Sequence, residues 1–218
     1  MKIGLFIQAR SNSSRLPNKI FEMIGEESIL GRIVQTCKQA NILPKINEKV
    51  IAVLCPKGDE KVILWCKNRD VLCFAGSEEN LINRYLEALK EFQCGAVIRI
   101  TGDCPFIPVE LIDKCVEELC KVDYVSNTII RSYPEGYDLQ GASLKAWEWL
   151  KDHQTEEVEH PWKEFDANEM IRSLEFESVG LKYSHLLNPK NEIFVKTSVD
   201  IKEDLDKVRK FYESTRSR

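Results

Sequence analysis

Apolar residues cluster in short runs along the first half of the chain, at 3–7, 50–55, 71–75, 96–100 and 122–125, each bounded by polar or turn residues. Runs that are mainly apolar, with no strict alternation, predict strands buried on both faces. Between them the spacing changes. Ile29/Ile33/Cys37/Ala40, Val62/Trp65/Cys66, Leu81/Tyr85/Ala88/Leu89/Phe92 and Ile112/Cys115/Val116/Leu119 recur every three or four positions, which lays one apolar stripe along each of four helices. Strand and helix therefore alternate up to about residue 126. That order predicts an α/β fold, a mostly parallel sheet sandwiched by helices, with ligand gathered at the carboxyl ends of the strands. The loops that leave strands, at 8–19, 75–80, 101–105 and 126–128, are then where function is expected.

From about 130 to 187 the alternation fails, and an aromatic, Glu-rich stretch with Trp147, Trp149, Trp162 and Phe165 takes over. It reads as an insertion or dimerisation lobe on one domain spanning 1–218, its aromatics serving either core or interface. Residues 193–199 then predict a last strand, and Leu205, Val208 and Phe211 one side of a C-terminal helix.

At 218 residues the chain can bury one substantial core. Its 31 Lys and Arg against 35 Asp and Glu leave a net charge of −4, so no broad field draws in nucleic acid or anionic lipid, and any anion site must be local. No segment approaches the roughly twenty apolar residues that span a bilayer, and Met1-Lys2 leads directly into a core strand, which predicts a cytoplasmic protein. All eight cysteines fall in the first 120 positions without C-x-x-C or metal-ligand spacing, and read as reduced packing residues.

The first strand hands over to Gln8-Ala9-Arg10-Ser11-Asn12-Ser13-Ser14-Arg15-Leu16-Pro17-Asn18-Lys19, three cations with no acid. Small hydroxylated residues let a backbone approach phosphate closely, Arg10 and Arg15 can grip its oxygens in pairs, and Lys19 adds a mobile point charge. The other reading is a solvated basic turn. Asp103 follows the strand ending at Ile100 and Asp200 follows the last predicted strand; if both strands end at one sheet edge, the carboxylates converge on a hard dication opposite the basic loop. Alternatively each merely caps a helix.

Gln8-Ala9-Arg10-x4-Arg15-Leu16-Pro17-x-Lys19, Gly102-Asp103-Cys104-Pro105 and Ser198-Val199-Asp200 together resemble the SpsF-like cytidylyltransferases, a group related to the acylneuraminate and 3-deoxy-manno-octulosonate cytidylyltransferases. Gly76-Ser77-Glu78-Glu79-Asn80 with Arg84-Tyr85, Val125-Ser126-Asn127-Thr128 and Pro134-x-Gly136-x-Asp138 extend the likeness in order over nearly the whole chain. The resemblance implies a nucleotide-diphospho-sugar transferase (Rossmann-like) fold and assembly as a homodimer. It implies CTP, or another nucleoside triphosphate, on Gln8, Ala9, Arg10, Ser13, Arg15, Lys19, Ser77, Arg84 and Gly102, with Arg10, Lys19, Asp103 and Asp200 catalytic. Mg²⁺ would sit on Asp103 and Asp200. A sugar, sugar-acid or sugar-phosphate acceptor would meet Asn127, Asp138 and Gln140. Two family signatures differ here: the lobe has Glu157-Val158-Glu159-His160-Pro161 in place of Arg-Glu-His-Val-Thr, and Asp138-Leu139-Gln140 replaces Asp-Val-Glu.

Three other classes compete. A dehydrogenase would need a Gly-x-Gly-x-x-Gly turn after the first strand, and residues 10–15 contain no glycine. A glycosyltransferase consuming nucleotide-sugars would share the architecture, but a strand-terminal Asp-x-Asp is absent. A non-catalytic nucleotide-binding protein would keep the cations without needing both aspartates.

Overall fold

The computed structural model describes residues 1–41, 46, 48–153, 160–188 and 196–216. In chain order these form β1 (Lys2–Gln8), a 3-10 turn (Lys19–Phe21), β2 (Met23–Ile24), β3 (Glu27–Ser28), α1 (Ile29–Gln39), β4 (Glu48–Pro56), α2 (Glu60–Asn68), β5 (Leu72–Gly76), α3 (Leu81–Glu91), β6 (Ala96–Thr101) and α4 (Val109–Leu119). There follow β7 (Tyr124–Ser126), β8 (Leu139–Ser143), α5 (Leu144–His153), α6 (Lys163–Ala167), α7 (Glu169–Ser178), β9 (Tyr183–His185) and α8 (Lys202–Arg216).

The periodicity of the first half is met element by element. Polar side chains start the helices: Ser28 Oγ accepts from Gly31 N–H (3.1 Å), Asp59 Oδ1 from Val62 N–H (3.3 Å) and Asn80 Oδ1 from Asn83 N–H (2.8 Å). Among the described residues seven strands form one sheet in the order β5-β4-β1-β6-β8-β7-β9, and β2 and β3 a small hairpin. The pairs β1–β4, β1–β6, β4–β5 and β7–β9 are parallel; β8 runs against both β6 and β7. This is the mostly parallel, helix-covered sheet that the alternation implies.

Strand period divides the core between two faces. Ile3, Leu5 and Ile7 of β1 pack with Ile29, Ile33, Val62, Ile112 and Leu205 of the helices on one side. Phe6 packs on the other side with Tyr85, Leu89, Trp147, Trp162, Phe165 and Phe176. The aromatic stretch is therefore core. Trp147 stacks on Tyr85 (4.6 Å between ring centroids) and Trp162 on Tyr124 (4.0 Å), while β8 and β9 enter the main sheet.

The expected strand at 193–199 is corrected in part. Residues 193–195 lie outside the described residues, and 196–199 make no ladder. Their N–H groups go to loops instead, Thr197 N–H to the carbonyl of Glu135 (2.9 Å) and Val199 N–H to that of Asp103 (2.9 Å).

All eight cysteines are free thiols, six of them buried. Burial pushes the thiol of Cys37 up to about 12 and that of Cys94 up to about 11, and raises Cys104 well above its ordinary value, so these are inert packing groups at neutral pH. No helix among the described residues is long and apolar enough to cross a membrane.

Candidate active site

At the carboxyl edge of β1, β4 and β6 lies a cleft of about 1340 Å³. Backbone hydrogen bonds lace its walls together: Ala9 N–H donates to the Leu54 carbonyl (3.0 Å), Gly102 N–H to that of Gln8 (2.8 Å), and Val199 N–H to that of Asp103. Position 102 must be glycine for that lacing, since a Cβ there would lie 2.8 Å from Gln8 O and 3.3 Å from Ala9 Cα. Gly136, at φ +100°, likewise lets the 134–138 turn close on Ser198, whose N would be 2.3 Å from an added Cβ.

Two carboxylates 97 positions apart meet here through the cations of the basic loop. Lys19 Nζ donates to Asp103 Oδ2 (2.9 Å), to Asp200 Oδ1 (3.5 Å) and to the Val199 carbonyl (2.7 Å), and Arg15 Nη2 donates to Asp200 Oδ1 (2.8 Å). Burial alone would raise the Asp103 carboxyl. The Lys19 ammonium beside it, with hydrogen bonds from Lys19, Thr101 and Cys104, outweighs that and holds it below the usual range. On the far side of Asp200, Lys196 Nζ lies 3.2 Å from Asp200 Oδ2, 3.1 Å from Glu135 Oε1 and 3.2 Å from Asp204 Oδ2. Those three carboxylates raise its ammonium pKa above the ordinary value against the opposing cost of burial.

The donor set suits a hard dication. Among the described residues no three His, Cys, Asp or Glu side chains form a metal cage. Asp103 and Asp200, here paired with the Lys19 ammonium, are the oxygen donors in this part of the cleft that a hard dication could use, since such an ion needs only one or two protein carboxylates and takes its other ligands from water and phosphate.

The rest of the basic loop is held by a residue that the sequence reading passed over. Asp59 Oδ2 accepts from Ser11 N–H (2.7 Å) and Asp59 Oδ1 from Ser11 Oγ (2.8 Å), while the same carboxylate caps α2. Its signal was available: residues 56–59 form another loop leaving a strand. Asn18, left-handed at φ +60°, donates its N–H to the Ser11 carbonyl (2.8 Å) and so folds the loop back before Lys19. Gln8, Ala9, Arg10, Ser13, Arg15, Lys19, Gly102, Asp103 and Asp200 all line the cleft.

Three of the residues expected near a ligand carry hydrogen bonds to the protein itself. Arg84 lines the cleft but is buried, and its Nε (2.7 Å) and Nη2 donate to the Ser77 carbonyl, with Nη2 also reaching that of Glu78 (3.2 Å), so it shapes the 77–80 turn. Ser77 does not line the cleft; its Oγ accepts from Asn80 N–H (3.0 Å). Asn127 is buried outside it, its Nδ2 donating to the Tyr137 carbonyl (2.7 Å) and its Oδ1 accepting from Leu139 N–H (2.8 Å). Each of these side chains holds backbone groups in place, Arg84 and Ser77 in the 77–80 turn and Asn127 across to Tyr137 and Leu139.

Asp138 and Gln140 do line the cleft. Both oxygens of Asp138 accept from Arg131 (2.8 and 3.2 Å). Gln140 joins a group absent from the sequence reading, because Arg99, the single charge inside the 96–100 run, points into the cleft. Its Nε donates to Gln8 Oε1 (2.9 Å), its Nη1 to Gln140 Oε1 (3.0 Å), and its Nη2 lies 3.3 Å from His160 Nδ1.

Comparison with known proteins agrees with the geometry. A family model described as cytidylyltransferase matches residues 5–172. An uncharacterized protein of Methanocaldococcus jannaschii is 36% identical over 163 residues, covering 72% of this chain and 65% of that protein. The spore coat polysaccharide biosynthesis protein SpsF of Bacillus subtilis is 29% identical over 116 residues, 53% of this chain and 48% of that one. The chain thus spans about half to two thirds of the length of these relatives. The solved structure of a cytidylyltransferase from Leptospira borgpetersenii superposes with a TM-score of 0.81 at 27% identity, over 96% of this chain and 85% of that one. The matched span runs from β1 into α7 and includes the basic loop and Asp103, with Ser198 and Asp200 of the cleft wall lying beyond it; covering most of the chain, it shows that the chain belongs to the cytidylyltransferase family.

Proposed function

We propose that this chain transfers a cytidylyl group from CTP to an oxygen of a sugar or sugar-acid acceptor, in the cytoplasm, for a surface polysaccharide or glycoconjugate, and that it works as a homodimer. The observation that carries the reading is the meeting of Lys19 and Arg15 with Asp103 and Asp200 across one cleft. A binding protein needs the cations alone; two acids directed at the same point serve a dication that accompanies the triphosphate.

The acceptor oxygen forms a bond to the α-phosphorus as the bond from that phosphorus to the bridging oxygen breaks, and pyrophosphate leaves with the electron pair. Arg10, Arg15 and Lys19 neutralise the oxygens that gain charge on the leaving group, and the laced backbone around Gly102 keeps them in place before reaction. Asp103 and Asp200 would hold Mg²⁺, whose chemistry there is to neutralise phosphate oxygens. An anionic acceptor oxygen needs no base; a hydroxyl acceptor must lose its proton.

The test is incubation with each nucleoside triphosphate, Mg²⁺ and a panel of keto-deoxy sugar acids and sugar phosphates. Pyrophosphate is expected with CTP and a restricted set of acceptors. Nucleotide binding without pyrophosphate release for any acceptor sinks the reading and leaves a nucleotide-binding protein.

A further inference from the structure

The sheet face under α5, α6 and α7 is largely aromatic, yet one row across it is polar. Register sets Arg99 of β6 opposite Gln140 of β8, Gln140 opposite Ser126 of β7, and Ser126 opposite His185 of β9. Arg99, Gln140 and Ser126 are buried. Buried polar groups are costly unless each finds a partner, so such a row calls for an explanation beyond packing.

Asp166 of α6 closes over this row. Its Oδ1 accepts from Tyr124 Oη (2.6 Å), and its Oδ2 accepts from Thr128 Oγ1, from Gln140 Nε2 (3.0 Å) and from Ser126 Oγ (3.4 Å). An ionised carboxylate only accepts and a guanidinium only donates; burial raises the Asp166 carboxyl, and the hydrogen bonds from Thr128, Tyr124, Gln140 and Ser126 oppose that rise. Gln140, set between Asp166 and Arg99, therefore has one possible amide orientation, Nε2 toward the acid and Oε1 toward the arginine. α6 has apolar anchors besides Asp166: Trp162 just before it stacks on Tyr124, and Phe165 within it is buried. What the acid fixes is the set of groups facing the cleft, since Arg99, Thr128, Gln140, His160 and Asp166 all line it.

We propose that Asp166 is a positioning residue for the acceptor: by locking the Gln140 amide it aims Gln140 and Arg99 at the molecule that receives the nucleotidyl group. The proposal rests on the transfer reading above. It also ties the two halves of the cleft together, because Arg99 donates to Gln8, the last residue of β1 before the basic loop.

The experiment is a double-mutant cycle in steady-state kinetics, with an acceptor taken from the pyrophosphate screen. Asp166→Asn is expected to raise the acceptor KM about tenfold and leave the CTP KM within about twofold. In a Gln140→Leu background the same substitution is expected to change the acceptor KM less than about twofold, because the group it acts through is gone. Asp166→Glu, which keeps the charge but shifts it by one methylene, is the second variant and is expected to split the KM values in the same way. Equal effects in both backgrounds, or parallel rises in both KM values, overturn the positioning role. A second readout needs no turnover: the side-chain NH₂ of Gln140, identified by its loss in Gln140→Leu, is expected to be protected from hydrogen exchange in the wild type and unprotected in Asp166→Asn, and unchanged exchange overturns the lock. Wild-type protein that releases no pyrophosphate overturns the transfer reading and the acceptor role together, whereas intact transfer with an unchanged acceptor KM in Asp166→Asn overturns the positioning role alone.

Discussion

Lys19 has its ammonium held by two carboxylates and one carbonyl, with the side chain only 12% exposed, so its charge is fixed in place before any ligand arrives. Preorganised charge of this kind is worth about 3 kcal/mol in a transition state, or roughly a hundredfold in rate. Lys19→Ala is accordingly expected to lower kcat/KM for pyrophosphate release about a hundredfold with the fold retained, as read by an unchanged circular dichroism spectrum; a loss under threefold would remove Lys19 from the chemistry. The charges that meet in the cleft were legible in the sequence because charge just after an apolar run is conspicuous, as with Arg15, Lys19, Asp103 and Asp200. For Arg84, Ser77 and Asn127 the sequence leaves two demands open, meeting a ligand or holding backbone groups, and the coordinates show all three bonded to backbone. Arg99 was visible as one charge in an apolar strand, and Asp166 had no local signal.

At the level of elements, the loops leaving strands did gather at one edge, including the 56–59 loop that the reading did not count. Asp59 both starts α2 and holds Ser11 of the basic loop, so its loss should register twice. Asp59→Ala is expected to cost about 1 kcal/mol of stability through the lost helix cap and to raise the CTP KM several-fold through the loosened loop; thermal melts and initial rates check the two separately. β8 escaped the sequence reading because Leu139-Gln140-Gly141-Ala142-Ser143 contains no β-branched or aromatic residue and is a strand only by virtue of its neighbours on both sides. The opposite error at 196–199 has the same root, since those residues look like a strand but give their hydrogen bonds to the Asp103 and Glu135 carbonyls.

For the molecule as a whole, a net charge of −4 says nothing of a polyanion site, because the site is neutralised from within, Arg15 and Lys19 against Asp103 and Asp200. A triphosphate arriving alone would take the cations and strand the acids beside it; a dication arriving alone would meet Lys19. Each ligand should therefore bind weakly by itself and tightly with the other. Calorimetry is expected to give a CTP affinity at least about tenfold higher with Mg²⁺ than with a chelator present, and equal affinities would contradict this coupling. The reversal of β8 has a further consequence for how such a protein can diverge. It sets a seam in the sheet, with the strands that hold the basic loop and Asp103 on one side and Gln140, β7 and β9 on the other. Relatives could vary what the segment beyond the seam presents to the cleft while the β1, β4 and β6 ladders stay as they are, provided that the aromatic packing on Phe6 and Tyr85, which crosses the seam, is kept.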